Sequence, residues 1–310
     1  MAKLDESQII RIFQKRFGSF VSEDVESFRL GKGFGIIKID TLVESTDVPP
    51  GMTPAEAARK SVVACVSDFA SKGVRPLYGT ISVTIPKSYS EKKIRGLAAG
   101  FAKSAKEFGF RILGGDTNEG VELVISVSLF GTSERITYRK GARTGDHIIV
   151  TGPFGNSYAG LKHVMHGKKA ERKFARKIKS ALYRPLPRLG FGVLAARYFS
   201  SAMDSSDGLS TTLNEMAKQS KKKFEITALP HDSELERFAS QNRLDIEDLV
   251  LNGGEEYEIV ATIPHKNLKK VKQLAKSHKI PLTKIGQVGD GGGVFYSGKR
   301  IRSGGWLHFR

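Results

Sequence analysis

Hydrophobic residues recur along the chain with two periods, and the change of period divides it into strand-like and helix-like segments. Residues 78–85 alternate apolar and polar positions as a strand does, whereas residues 90–108 repeat them as a helix does. In the first half, the predicted strands are 35–40, 78–85, 111–113 and 121–131, and the predicted helices are 53–68 and 90–108. Thr53 as N-cap, Pro54 at the first helical position and Glu56 at the third indicate where the helix over 53–68 begins.

The second half repeats this order of elements, and a new strand begins at residue 147. The predicted elements are strands over 147–151, 224–228 and 256–263, a strand end at 203–204, helices over 209–220 and 266–278, and a hairpin over 294–300. We predict an N-terminal domain over 1–146 and a C-terminal domain over 147–310, as expected for 310 residues. Strands mixed with helices and joined by antiparallel turns predict a mixed α/β or α+β fold, with mixed sheets flanked by helices.

Basic residues outnumber acidic ones by 50 to 32, which gives a net charge of +18. Such a surface favours anionic partners, among them nucleic acid and phosphorylated metabolites. The densest basic stretch, residues 162–184, has apolar residues at helical spacing and is predicted to be one amphipathic helix with a solvated face. Its basic residues are not interleaved with aromatic residues in a way that would stack on bases, so nucleic acid is not the favoured partner.

Three features indicate a cytoplasmic protein. The chain has no run of 18 apolar residues, so no membrane-spanning helix and no membrane partner are predicted. The N-terminal residues Met1-Ala2-Lys3-Leu4-Asp5-Glu6 turn acidic where a signal peptide would be apolar. A single cysteine, Cys65, excludes an intramolecular disulfide.

Aspartates stand where apolar segments end, and this is the most informative pattern in the sequence. The six are Asp24, Asp40, Asp68, Asp116, Asp204 and Asp207. A carboxylate at the end of a buried strand needs a partner, although a single one is most simply a helix cap, as Asp207 before Gly208 would be. Six of them in a basic chain favour an oxygen-lined site for Mg²⁺, which commonly links carboxylates to substrate phosphates.

Other kinds of site fit the sequence less well. The seven histidines show no metal-ligand spacing and Cys65 is alone, which argues against zinc. No G-x-x-x-x-G-K-[ST] motif and no G-x-S-x-G motif occurs. The pairs Gly114-Gly115 and Gly253-Gly254 allow close approach of the backbone to a phosphate. The residues alone therefore predict a Mg²⁺–polyphosphate site that serves phosphoryl transfer or ATP hydrolysis.

Five motifs carry a more specific resemblance. They are Asp40-Thr41-Leu42-Val43-Glu44, SDFASKGVRP over 67–76, Gly114-Gly115-Asp116-Thr117, Asp204-Ser205-Ser206-Asp207-Gly208-Leu209 and Gly253-Gly254-Glu255-Glu256-Tyr257-Glu258. Together and in this order they resemble the thiamine-monophosphate kinase family, of archaeal type, in the aminoimidazole ribonucleotide synthetase superfamily. The resemblance covers nearly the whole chain. It implies the two-domain fold of that superfamily, with an N-terminal domain that binds ATP and Mg²⁺ and forms a homodimer.

The resemblance also implies an activity and its residues. The implied reaction is ATP-dependent phosphorylation of thiamine monophosphate to thiamine diphosphate, by direct transfer without a covalent intermediate and with several Mg²⁺ ions. The implied metal-binding positions are Asp24, Ile39 through its carbonyl group, Asp40, Asp68, Asp116, Asp204 and Asp207. The implied ATP-binding positions are Gly115, Asp116, Arg139 and Ser206, and the implied substrate-binding positions are Asp47, Glu255 and Trp306.

The sequence departs from the family pattern at several places, one of which is a conservative replacement of an Asp by Glu256. Ser22-Glu23-Asp24 stands where a Gly-Asp-Asp is usual, so only Asp24 is carried over there. Lys38-Ile39 replaces a hydroxyl-bearing pair, and Lys38 shares a strand face with Asp40, where its charge could replace that of a metal ion. Asp47 aligns with a histidine of bacterial members that contacts the substrate, which leaves two roles open: contact with the aminopyrimidine, or capping of the loop before Pro49-Pro50.

Two alternatives remain at this point. One is another ATP-using enzyme of the same superfamily. A selenophosphate synthetase would need a reactive residue near the N-terminus that this chain lacks, and a hydrogenase-maturation dehydratase would end in cysteine, whereas this chain ends in Trp306-Leu307-His308-Phe309-Arg310. The other alternative is a basic nucleic-acid-binding protein, against which the ordered acidic motifs argue because carboxylates repel phosphates.

Overall fold

The computed structural model describes residues 4–18 and 22–306. In chain order, the first half contains α1 (Glu6–Phe17), β1 (Glu26–Leu30), β2 (Gly33–Val43), α2 (Glu44–Asp47), α3 (Pro54–Lys72), β3 (Arg75–Pro86), α4 (Glu91–Phe108), β4 (Arg111–Gly120) and β5 (Val124–Ser133). The second half contains β6 (His147–Thr151), α5 (Asn156–His166), α6 (Arg172–Tyr183), α7 (Leu189–Ala195), a 3₁₀ turn (Ala196–Tyr198), β7 (Ser201–Ser205), α8 (Leu209–Ser220), β8 (Lys223–Ile226), α9 (Ser233–Asn242), α10 (Ile246–Asn252), β9 (Glu258–Ile263), α11 (His265–Ser277), β10 (Leu282–Gly289), β11 (Gly293–Tyr296) and β12 (Lys299–Ile301).

The strands of the first half form one five-stranded sheet in the order β1-β2-β5-β3-β4. Only β3 and β4 pair in parallel among these strands. One face packs against α3, and Ile125, Val127 and Leu129 of β5 are fully buried there. The other face is open: Ile37 and Ile39 of β2 are 39% and 64% exposed. We call this second surface the open face.

The strands of the second half form a seven-stranded sheet in the order β12-β11-β8-β10-β6-β9-β7. Only β8 and β11 pair in parallel among these strands. Strand β7 therefore lies at one edge, and it pairs with β9 alone. Strand β7 and its neighbour β9 meet α3.

Helix α3 joins the two halves. A capping box fixes its start, because Thr53 Oγ1 accepts from the Glu56 N–H and the Glu56 carboxylate accepts from the Thr53 N–H. Gly73 ends it in the left-handed conformation, with φ of 75°. Its buried residues share one core with Ala202 of β7 and Ala261 of β9. Side chains on α3 can therefore reach both sheets.

The mixed α/β class with mixed sheets and flanking helices is confirmed, but several local predictions are wrong. Asp68 lies inside α3 and does not follow a strand, because α3 continues to Lys72. The strand predicted over 111–113 extends to Gly120 and is mostly exposed, since it is a sheet edge. The basic stretch 162–184 is two helices, α5 and α6, because Gly167 ends the first with φ of 64°.

Among the described residues, no helix is both long and apolar enough to cross a membrane. The boundary near residue 147, and the functions assigned to 1–146 and 147–310, stay predictions. The C-terminal residues 307–310 lie outside the described part of the chain.

Candidate active site

Three buried carboxylates meet between the two sheets. Asp24 precedes β1, Asp68 lies on α3, and Asp204 lies on β7. Each offers one carboxylate oxygen, and these oxygens all lie within 4.8 Å of one another. We call Asp24, Asp68 and Asp204 the acid cluster. Carboxylates this close repel each other, so protons or cations must offset their charge.

Two cations hold Asp24. Lys72 Nζ, one helical turn after Asp68, lies 2.8 Å from Asp24 Oδ2 and 2.8 Å from Glu23 Oε2. It also donates to the carbonyl oxygen of Ala202 at 3.0 Å, so its three donors have three acceptors. Arg139 pairs with the other oxygen, Asp24 Oδ1. Its Nε donates to this oxygen at 2.6 Å, and its Nη2 lies 2.5 Å from it. Asp24 is thus fully neutralised within the chain.

The rest of the acid cluster has less positive charge around it. Lys38 Nζ lies 2.9 Å from Asp68 Oδ2 and 3.8 Å from Asp40 Oδ2. Asp204 Oδ2 accepts a hydrogen bond from Ser67 Oγ at 2.7 Å. One carboxylate oxygen of Asp68 lies within 4.8 Å of one of Asp204. Two buried carboxyl groups this close favour a shared proton or cation between them.

The protonation of these groups follows their surroundings. Burial and the neighbouring carboxylates raise the pKa of Asp68 well above its usual value, although Lys38 opposes this. Burial, together with Asp24, raises the pKa of Asp204 to about 6. Burial also acts on Asp24, but Lys72 and Arg139 outweigh it and lower the pKa of Asp24. Asp68 and Asp204 are therefore the members of the acid cluster best placed to gain from an added cation.

A second group of predicted residues surrounds the turn that follows β7. The carbonyl oxygen of Ser206 accepts from the Glu255 N–H at 2.5 Å, and that of Asp207 accepts from the Trp306 N–H at 3.1 Å. A side chain at Gly305 would place its Cβ 1.7 Å from the Asp207 carbonyl oxygen, so only glycine fits there. The C-terminal segment is therefore held against the turn, and Trp306 stays 52% exposed beside it.

Lys60 links this turn region to the first half of the chain. It lies on α3, is only 2% exposed, and pairs with the Glu255 carboxylate. The same ammonium group donates to the carbonyl oxygen of Asp47 at 2.7 Å. The Asp47 carboxylate itself accepts from the Val43 N–H at 2.7 Å, so it holds the end of β2. Lys60 thus fixes the spacing between Asp47 and Glu255.

Asp116 does not join the acid cluster within one chain. Strand register aligns Asp116 with Ser82, Ser126 and Thr41 across β4, β3, β5 and β2. Thr41 and Ser126 are hydrogen-bonded through their hydroxyl groups on the open face. Asp40, one residue earlier on β2, points to the opposite face, towards α3. Asp116 therefore lies on the open face of the sheet.

Comparison with known proteins identifies the family. The AIR synthase related protein N-terminal domain matches residues 23–133, and the C-terminal domain of the same family matches residues 143–299. The chain is 52% identical to a thiamine-monophosphate kinase of Nitrosopumilus maritimus over the full length of both proteins. It belongs to the thiamine-monophosphate kinase family. A thiamine-monophosphate kinase of Pyrococcus horikoshii is 35% identical, with 100% of this chain and 98% of the relative covered.

A solved structure of this family supports the fold. AaThiL complexed with AMPPCP and TMP superposes with a TM-score of 0.91 at 27% identity, covering 100% of this chain and 99% of that one. The resemblance seen in the sequence motifs is confirmed by these matches. The fold predicted from it is confirmed as well.

The site residues implied by thiamine-monophosphate kinase family membership fall into three sets in the structure. Asp24, Asp40, Asp68, Asp204 and Arg139 meet at or beside the acid cluster. Ser206, Asp207, Glu255 and Trp306 meet around the turn after β7, and Asp47 joins them through Lys60. Gly115, Asp116 and the Ile39 side chain do not join either group: Ile39 points to the open face, and Gly115 lies on β4 with its backbone against Ile81.

Three charged residues of the site were missed at the sequence level: Glu23, Lys60 and Lys72. Lys60 and Lys72 are buried on α3, and Lys72 follows Asp68 by four residues. A spacing of four places Asp68 and Lys72 on one helical face, which was an available signal. Glu23 accepts from Lys72 and from the Arg139 backbone N–H, a contact that no local pattern indicates.

Proposed function

We propose that this protein transfers the γ-phosphoryl group of ATP to thiamine monophosphate and so forms thiamine diphosphate and ADP. Its full-length identity to thiamine-monophosphate kinases supports this activity. The relative complexed with AMPPCP and TMP supports both substrates. We propose direct transfer, because positioning and charge neutralisation suffice for this chemistry.

The main support for the proposal is that β7 and the turn after it connect the two groups of site residues, the acid cluster and the residues around Glu255 and Trp306. Asp204 lies in the acid cluster, and Ser206 and Asp207, two and three residues later, contact the segments that carry Glu255 and Trp306. A phosphate-bearing ligand at the acid cluster and a second ligand beside Trp306 would thus meet at one turn. The exposed indole face of Trp306 suits a cationic ring such as the thiazolium of thiamine.

The donor set of the acid cluster fits Mg²⁺. Asp68 and Asp204 present close carboxylate oxygens, and both have raised pKa values from burial among like charges. Hard oxygen ligands of this kind suit Mg²⁺. We propose that Asp68 and Asp204 hold it, with Asp207 on the turn after β7 as a further carboxylate. When bound, Mg²⁺ offsets the repulsion between the phosphate groups of the two substrates.

The guanidinium group of Arg139 would act beside the acid cluster as well. Arg139 is held by Asp24 and by Ser22 Oγ at 3.0 Å, so its guanidinium group has a fixed orientation beside the acid cluster. A fixed guanidinium group binds phosphate oxygens with little loss of conformational freedom. We propose that it binds a phosphate of ATP from this position.

We also propose a homodimer that forms through the open face. Large apolar residues on the strands of the five-stranded sheet are exposed: Phe28, Leu30, Ile37, Ile39, Leu77, Tyr78 and Leu113. Exposed apolar surface on a sheet is a typical interface between subunits. Ile39→Lys should reduce the particle mass in sedimentation from two chains to one. An unchanged mass would place the interface elsewhere or argue against a dimer.

The activity is tested by incubating the protein with Mg²⁺, ATP and thiamine monophosphate and separating the thiamine compounds by chromatography. Thiamine diphosphate should accumulate together with an equal amount of ADP. Thiamine offered in place of thiamine monophosphate is the matched control and should give no product. ADP release without thiamine diphosphate would contradict the proposed function.

A further inference from the structure

Lys38 occupies a position between two carboxylates that are both predicted to bind metal. It lies on β2 two residues before Asp40, so both side chains point to the α3 side of the sheet. Its Nζ lies 2.9 Å from Asp68 Oδ2 and 3.8 Å from Asp40 Oδ2. An ion bridging Asp40 and Asp68 would have to lie where this ammonium group lies.

The same contacts account for the charge of Lys38. Its ammonium group, the ordinary form of a lysine at neutral pH, is paired with the carboxylates of Asp68 and Asp40. An ammonium group repels a divalent ion and cannot act as its ligand. Lys38 thus supplies positive charge at this point and also keeps a second cation out.

Lys38 differs from Lys72, the other lysine at the acid cluster. The Lys72 side chain is fully buried, and its three donors are used by Asp24, Glu23 and the Ala202 carbonyl oxygen. The Lys38 side chain is 23% exposed, and its ammonium group pairs with the carboxylates of Asp68 and Asp40. Lys72 is therefore part of the core, whereas Lys38 remains partly exposed beside the acid cluster.

We propose that Lys38 is a built-in cation that takes the place of one divalent ion between Asp40 and Asp68. This inference rests on the proposed phosphoryl transfer, which uses divalent ions at the acid cluster. It assigns the site one ion fewer than its carboxylates could hold. Removing the ammonium group while leaving Asp40 and Asp68 should open that position to a metal ion. Lys38→Ser does so and adds a hydroxyl oxygen as a ligand.

The test counts bound Mn²⁺ at saturation by electron paramagnetic resonance of the free ion, without and with AMPPCP. Lys38→Ser should bind one Mn²⁺ more per chain than the natural protein. Lys38→Arg keeps the charge and should bind the natural number. Lys32→Ser is the matched control, since Lys32 is exposed in the turn between β1 and β2 and should leave the count unchanged.

The counts do not depend on turnover, so they separate this inference from the proposed function. Equal Mn²⁺ counts for Lys38→Ser and the natural protein would overturn it, as would an extra ion in Lys38→Arg. If circular dichroism shows that Lys38→Ser is unfolded, Lys38→Gln is measured in its place, with the same extra ion expected and the same count contradicting it.

Discussion

The buried ammonium group of Lys60, on the helix shared by both sheets, pairs with the carboxylate of Glu255, on the loop before β9. Glu255 has φ of 63°, in the left-handed region that a glutamate rarely adopts. Its N–H is held by the Ser206 carbonyl oxygen. The ion pair and this hydrogen bond together keep an unfavourable backbone conformation in place, which indicates that the position of Glu255 matters for function.

Replacing Lys60 with methionine should weaken binding of thiamine monophosphate. Without the ammonium group, the Glu255 carboxylate loses its buried partner and the Asp47 carbonyl oxygen loses its donor. We expect the KM for thiamine monophosphate to rise by roughly tenfold or more, while the KM for ATP changes little. Lys60→Arg should restore part of the loss, because it keeps the charge. Steady-state kinetics with each substrate varied in turn measure both values.

The same substitution should also lower stability. Lys60 is buried, and removing one partner of a buried pair costs on the order of 2–4 kcal/mol in free energy of unfolding. Arg95→Met is the matched control, since Arg95 pairs with Glu91 on an exposed helix face and should cost below about 0.5 kcal/mol. Urea denaturation compares the two. Stability loss with an unchanged KM would make Lys60 purely structural.

Asp116 and Asp207 should both be needed for turnover although they lie apart in one chain. Asp116→Asn and Asp207→Asn should each keep the fold and lose activity by roughly 100-fold or more. Asp290→Asn is the control, because Asp290 is an exposed aspartate paired with Lys222 on the second sheet and should keep full activity. Full activity in either site variant would remove that residue from the site.

Mixing the two inactive variants tests how Asp116 reaches the site. Asp116 lies on the open face, through which the proposed homodimer forms. If Asp116 serves the site of the other chain, coexpressed Asp116→Asn and Asp207→Asn chains form mixed dimers with one intact site, which restores about a quarter of the natural activity when the chains pair at random. If each chain used its own Asp116, the mixture would stay inactive.

Trp306 should report on binding of thiamine monophosphate directly. It is the only tryptophan in the chain, so intrinsic tryptophan fluorescence comes from the predicted substrate side alone. Thiamine monophosphate should change this signal in the absence of ATP. Trp306→Ala should raise the KM for thiamine monophosphate more than that for ATP, and Trp306→Phe should recover part of the loss. Unchanged fluorescence and kinetics would exclude Trp306 from the site.

Glu256 makes stability depend on pH. Burial raises its pKa from 4.5 to about 8, with Glu258 and Glu255 adding repulsion and the Ser157 and Gly155 N–H groups opposing it. The folded state therefore holds a proton that the unfolded state releases above pH 4.5, and the stability due to this group falls as pH rises towards 8.

Glu256→Gln removes that proton exchange. The free energy of unfolding of Glu256→Gln minus that of the natural protein should rise by on the order of 3 kcal/mol between about pH 5 and pH 8. Urea denaturation at several pH values measures it. Glu225→Gln is the control, since Glu225 is an exposed residue of β8 and its difference should stay flat. A flat difference for Glu256→Gln would contradict the raised pKa.

The sequence predicted a helix or strand correctly where a single hydrophobic period runs through it and clear residue signals mark both of its ends. Helix α8 has the predicted bounds, Leu209 and Ser220, because its apolar positions follow one helical face. The bounds of β4 were wrong because it is an exposed edge whose glycines and polar residues resemble a loop. Helix α1 was missed although Asp5 and Gln8 form a capping box at its start; its apolar residues Ile10, Ile12 and Phe13 are exposed and mark no core.

The site could be predicted only in part, for a physical reason. Motifs along the chain indicated Asp68 and Asp204, since the carboxylates themselves carry the chemistry. The groups that hold them come from distant segments: Lys38 from β2 reaches Asp68 on α3, and Arg139 reaches Asp24 across 115 residues. Such contacts depend on how the sheets pack around α3. Likewise, the side of the sheet on which Asp116 lies follows from strand register, which the motif does not contain.

We propose that the acid cluster and the turn after β7 bring two phosphate-bearing molecules together for direct transfer. ATP labelled at the γ-phosphate, incubated with Mg²⁺, thiamine monophosphate and the protein, tests this. We expect the label in the terminal phosphate of thiamine diphosphate, one for each ADP formed, with none left on the protein. Label released as inorganic phosphate, or retained covalently on the protein, would contradict it.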